Sequence, residues 1–249
     1  AGRFNSDSGT NYADRFSSDG GADSTLTSRT QMVDHENPVD NTHAFCVENV
    51  SNLSAQEKLV IMNSCTQNTA GAGTAPKRRE SVNKWANTSS PIDEYSVHNG
   101  GSGDFASGSE VVVLGYDPTD THTEADNFWQ ELASVELGSS NGTLDSGTFT
   151  AKKYLWVQVY LNATAAVEQR MRFNSDSTSS YSFRYSSNGA TDVTAVNDSN
   201  ALVGTGGVST PTFTNMFIVN NSATEKLAIS DNLYQSTAGA GSDPDRFQA

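Results

Sequence analysis

Side chains able to do chemistry fall into a few groups in this sequence, and most lack the spacing that their chemistry needs. Carboxylates gather as Asp14, Asp19 and Asp23, as Asp117, Asp120, Glu124 and Asp126, and as Asp243 and Asp245. Oxygen-rich loops can hold Ca²⁺, but none of these follows the Asp-x-Asp-x-Asp-Gly ligand pattern, so they read as solvated acidic surface. Glu131 and Glu136 would serve glycoside hydrolysis only in a cleft that keeps one carboxyl protonated, and nothing in the surrounding sequence marks one. His35, His43, His98 and His122 stand too far apart for a zinc site. Gly71-Ala72-Gly73 lacks the Lys-Ser/Thr of a phosphate loop, and no Gly-x-Ser-x-Gly elbow occurs. Asn-x-Ser/Thr triplets, as at Asn52, Asn87 and Asn141, follow from the abundance of Asn, Ser and Thr. The expectation is a chain that is not an enzyme and uses no cofactor and no metal.

Two further groups are better placed. Tyr154, Trp156 and Tyr160 sit at even positions of one run and so share one face of a strand. Such a face is expected to pack against a neighbouring domain or subunit; the alternative is stacking on the sugar rings of a host surface glycan. Cys46 and Cys65 lie eight residues to either side of the turn 54–57, so a regular hairpin closed by that turn would set them directly opposite each other. Opposed cysteines can form a disulfide. Thr214 and Leu233 stand at the corresponding places later in the chain, so the fold does not need the bridge, and thiols remain the alternative.

The elements that must hold these groups read as strands. Val167, Gln169, Met171 and Phe173 alternate with Glu168, Arg170 and Arg172, the pattern of a half-buried strand. Residues 154–161 alternate as well, and shorter candidates are 45–50, 58–62, 92–97, 110–114, 213–219 and 226–229, bounded by Gly, Asn, Ser, Pro or Asp. Only 127–137, with Phe128, Leu132 and Val135 at helical intervals, is open to a helix reading, with a strand entry as the alternative. Many short strands with Gly- and Ser-rich turns predict an all-β fold, a jelly-roll-like β-sandwich.

A repeat organises the chain. Phe4-Asn5-Ser6-Asp7-Ser8 recurs 169 residues later as Phe173-Asn174-Ser175-Asp176-Ser177, with Tyr12, Arg15 and Gly20 answered by Tyr181, Arg184 and Gly189. Glu57-Lys58-Leu59 recurs as Glu225-Lys226-Leu227, and Thr69 to Gly73 as Thr237 to Gly241, both at a spacing of 168. The chain therefore holds about one and a half copies of a unit of about 168 residues. Copy 1 spans 1–118 without the opening strands, 119–126 is an acidic linker, and copy 2 spans 127–249 without the closing strands. Both copies are incomplete, and the full polypeptide is expected to extend beyond this stretch.

Composition excludes whole function classes. The 249 residues carry a net charge of −14 with only 18% charged residues, so no basic stripe exists to displace counterions from nucleic acid. Apolar runs such as 111–114 fall far short of the roughly 20 residues that cross a bilayer. Neither a nucleic-acid partner nor a membrane is expected.

The run Met171-Arg172-Phe173-Asn174-Ser175-Asp176 followed by Ser180-Tyr181, Glu225-Lys226, Trp85 and Gly108-Ser109-Glu110-Val111-Val112-Val113-Leu114-Gly115 resembles the repeated β-sandwich domains of virion structural proteins of tailed bacteriophages, most of all marine phages. The resemblance implies a tail, fibre or capsid-surface component located on the virion, working by packing against other virion subunits as a homo-oligomer. Its alternative is a host-glycan-binding module of a tail fibre.

Overall fold

A computed structural model describes residues 1–33, 43–99, 104–115, 129–162, 165–206, 211–234 and 244–249. Among them the secondary structure is all β, without a helix or a closed barrel. The first strands are β1 (Gly2–Phe4), β2 (Tyr12–Ser18), β3 (Ser24–Arg29), β4 (Ala44–Val50), β5 (Lys58–Thr66), β6 (Lys77–Trp85) and β7 (Tyr95–Val97). They are followed by β8 (Tyr154–Asn162), β9 (Val167–Met171), β10 (Tyr181–Ser187), β11 (Val193–Asp198), β12 (Ala201–Gly206), β13 (Pro211–Val219), β14 (Leu227–Tyr234) and β15 (Asp245–Gln248).

Antiparallel pairing arranges them as an N-terminal sheet in the order β3-β2-β6-β5-β4 and a C-terminal sheet in the order β11-β10-β15-β14-β13-β8. Two small sheets, β1-β7 and β9-β12, complete the set. Period-two alternation decides which side of each large sheet is apolar. On β5, Lys58, Val60 and Met62 point inward while Leu59 and Ile61 point out. Val60 joins Phe4, Tyr12, Met32 and Trp85 in one core, with Ile92 and Tyr95 packed against it, so the β1-β7 ribbon covers the inner face. A second core joins Phe183, Leu202 and Phe247, with β12 lying across β13, β14 and β15.

Positions 168 or 169 apart share local geometry. The Phe4 amide donates to the Tyr12 hydroxyl at 3.0 Å and the Phe173 amide to the Tyr181 hydroxyl at 2.9 Å. Asn5 and Ser6 both hold positive φ, as do Asn174 and Ser175. The turn at Asp19-Gly20 is matched at Asn188-Gly189, where both central residues again have positive φ, the type I′ requirement that Asn, Asp and Gly meet most easily. Inward-facing Lys58 donates its Nζ to the Gln56 carbonyl at 2.6 Å, and Lys226 does the same to Thr224 at 2.7 Å. Buried Lys58 is thus solvated by backbone oxygens in place of water.

Several expectations are corrected. The cysteines are not opposed: Phe45 faces Cys65 and Cys46 faces Ser64, so the two thiols lie on opposite sides of the sheet and form no disulfide. The reason is the loop between β4 and β5, which has an odd number of residues centred on Ala55 at φ +59° rather than an even turn at 54–57. Residues 111–114 enter no ladder and their apolar side chains are exposed. The strand expected over 92–97 shortens to β7, because the Ile92 amide donates to the Asn52 side chain and the Asp93 and Glu94 amides to that of Asn5. Residues 129–137 are neither helix nor strand. The strands expected over 58–62 and 226–229 run on to Thr66 and Tyr234. The linker at 119–126, with His35, His122, Phe128, Asp243 and the second Gly-Ala-Gly, lies outside the described residues.

Candidate functional site

The outer faces of the two large sheets carry further charged and aromatic side chains, and parts of the two faces meet. Register places Phe45, Cys65 and Arg78 side by side across β4, β5 and β6 on the outer face of the N-terminal sheet. Each member of this row touches the C-terminal half. The Phe45 ring stacks on Tyr154, with centroids 6.4 Å apart. Cys65 is buried where β5 meets β14, at a cavity of about 30 Å³ that is also lined by Asn63, Ile229 and Asp231. Arg78 forks onto Asp192, Nε to one carboxylate oxygen at 3.0 Å and Nη2 to the other at 2.6 Å.

Around the fork the contact is polar and closely satisfied. Arg184 donates Nε to the Pro76 carbonyl at 2.8 Å and lies 3.3 Å from Asp19. The Gly71 amide donates to Glu225 at 2.6 Å, and the Asn197 amide to the Ala72 carbonyl at 2.8 Å. The Gly71-Ala72-Gly73 loop is therefore a docking loop between the halves. A Cβ on Gly20, whose φ is +71°, would run into the Asp192 carboxylate. Burial pushes the Cys65 thiol up to about 12. Asp231 is also raised by burial, a shift that Arg246, Gln248 and Arg78 oppose but do not cancel.

The aromatic face divides between two uses. Tyr154 is spent on the contact with Phe45, and its hydroxyl donates to Glu110 at 2.8 Å. Burial, that hydrogen bond and the negative charge of Glu110 push Tyr154 up to about 12. Trp156 and Tyr160 are 44% and 67% exposed on β8 at the sheet edge. Trp156 stacks on Phe217 with centroids 5.9 Å apart and donates Nε1 to Asn215 at 2.5 Å. The structure brings Tyr154 and Trp156 onto one face with Tyr160, and it leaves Cys46 out of the site.

Sequence reasoning missed Arg78, Asp192 and Glu225 as partners, since their contacts join positions more than 100 residues apart. A signal was present in Arg15 and Arg184, which stand 169 residues apart in recurring sequence blocks and each pair with an aspartate, Asp23 and Asp192. Glu131 and Glu136 are exposed outside any strand. Among the described residues no three His, Cys, Asp or Glu side chains are grouped to hold a metal ion, and no helix is long and apolar enough to cross a membrane. No family model, curated protein or solved structure matches the chain.

Proposed function

We propose that the chain is an architectural, non-catalytic protein built from two tandem jelly-roll-like β-sandwich units whose outer faces are made for packing against each other and against further subunits. The observation that carries this reading is the Arg78–Asp192 fork: a partly buried, bidentate ion pair between the two halves is a device for fixing relative orientation. With the resemblance to phage virion domains, the reading extends to a tail, fibre or capsid-surface component of a virus particle acting in a homo-oligomer. Immunogold electron microscopy tests this extension: antibody against the chain should decorate one fixed location on particles, and undecorated particles would end it.

A second reading, a module for host surface glycans, draws on exposed Trp156 and Tyr160, which present apolar faces as a sugar-binding platform does. A glycan array separates the two, because an architectural protein shows no saturable sugar binding.

A further inference from the structure

Ile61 and Ile229 occupy equivalent positions on the outer faces of β5 and β14, yet Ile61 is 60% exposed and Ile229 8%. The same contrast holds for the neighbouring ion pair. Arg15–Asp23 and Arg184–Asp192 are equivalent, and the side chains of the first pair are 57% and 53% exposed against 17% and 2% in the second. What covers Ile229 and Asp192 is Cys65 and Arg78 of the N-terminal sheet, in the row Phe45–Cys65–Arg78 whose Phe45 lies on Tyr154. That row has its own equivalent in the C-terminal sheet, Phe213–Leu233–Arg246, aligned across β13, β14 and β15. Phe213 and Leu233 are exposed, and the Arg246 side chain is 54% exposed while it reaches Glu80 at 3.3 Å.

The molecule thus makes one contact internally and leaves the apolar residues of both halves of the same contact bare. We propose that the exposed face around Ile61, Val82, Arg15 and Asp23 docks the Phe213–Leu233–Arg246 row of a second copy of this chain, repeating between chains the contact made within one. The inference rests on the architectural reading and names the surface through which it acts. Val82 lies between Arg15 and Ile61 in the strand register, and Leu59 extends the patch, so the receiving face is an apolar strip that ends on the Arg15–Asp23 ion pair. The incoming row is apolar and ends on Arg246, so docking would set Arg246 beside Asp23 as Arg78 stands beside Asp192 within the chain. Because the two faces differ, the contact is heterologous and adds chains in a row or a ring instead of closing a twofold dimer. The Phe45–Tyr154 stack belongs to the internal contact alone. The internal contact is also favoured by its tether, at an effective concentration of about millimolar, so the contact between chains is weaker.

Sedimentation velocity of the 249-residue chain between about 10 µM and 1 mM, spanning the effective concentration that the tether supplies, tests the proposal. The expected result is a mass that rises with concentration from one chain to two and beyond. Two surface variants then separate the faces: Asp23→Lys with Ile61→Lys blocks the receiving face, and Phe213→Lys with Leu233→Lys blocks the incoming row. Each should be monomeric alone, and an equimolar mixture should give a one-to-one dimer and nothing larger. Continued protection of Cys65 from alkylation reports that the internal contact is intact in both. A wild-type chain that stays monomeric to 1 mM, self-association unchanged in either variant, or a mixture that stays monomeric would overturn the proposal. Saturable glycan binding by a monomeric chain would instead overturn the architectural reading itself.

Discussion

Arg78 and Asp192 share two hydrogen bonds in parallel, 3.0 and 2.6 Å long, across the contact between the sheets. Arg184 approaches the same carboxylate at 3.6 Å, so one acid takes two guanidinium groups. Geometry of this kind offsets the desolvation of the charges only while all the partners are present.

The losses from removing the two partners should therefore not add. Asp192→Ala is expected to destabilise the chain by about 1–3 kcal/mol, the scale for lost hydrogen bonds to a charged group, because Arg78 keeps Glu80 and Arg184 keeps Asp19 as partners, and Asp192→Ala combined with Arg78→Ala should cost less than the sum of the two single losses. Chemical denaturation of the single and double variants measures the difference. A double-variant loss equal to the sum of the two single losses would show that the fork contributes nothing as a pair.

The cysteines report the same contact without a mutation in either of them. At pH 8, iodoacetamide should modify partly exposed Cys46 and spare Cys65, whose thiol is held up at about 12 beneath the second sheet. Asp192→Ala should open Cys65 to the reagent. Reductant should leave the count of reactive thiols unchanged, since the register keeps the two sulfurs on opposite sides of β4 and β5.

Tyr154 sets an alkaline limit. Its folded pKa of about 12 lies above the ordinary value of 10.0, so its contribution is complete below pH 10 and is lost as the pH rises toward 12. Ultraviolet titration should show a late-ionising fraction that Tyr154→Phe reduces by one tyrosine, while Tyr12, also raised by burial, stays in it. A titration in which every tyrosine ionises near pH 10 would contradict the burial of Tyr154 against Phe45.

Asp231 works in the opposite sense. Its folded pKa is raised above 3.8 by burial, so its ionised form costs stability at neutral pH and the cost fades as the pH falls through the raised value. Asn63 stands at the equivalent place on β5, which shows that the amide fits this backbone. Asp231→Asn should raise stability at pH 7 by about 0.5–1 kcal/mol, with the gain shrinking toward pH 4. Thermal melts across that range supply the comparison.

What the sequence disclosed was local. The alternation over 154–161 gives β8 within one residue, and the face shared by Tyr154, Trp156 and Tyr160 follows from period two alone. Register was not legible, because whether a loop holds an even or an odd number of residues is settled by a single backbone choice at Ala55, a residue type that seldom takes positive φ. Residues 110–114 look like a strand by composition, but composition does not name a pairing partner, and none is described. β6 begins Lys77-Arg78-Arg79-Glu80, which reads as solvated surface until the second sheet arrives to cover Arg78.

The internal contact also gives the molecule a direction. The C-terminal half of β5 lies against the N-terminal half of β14, leaving Ile61 bare at one end and Leu233 at the other. These ends are chemically different: the Arg15–Asp23 ion pair stands beside Ile61, and Arg246 stands beside Leu233. Under the proposed contact, each chain would be added to the next in one orientation only. Reversing a chain would set Phe213 and Leu233 against their own copies and would leave Ile61 and Val82 without the row that matches them.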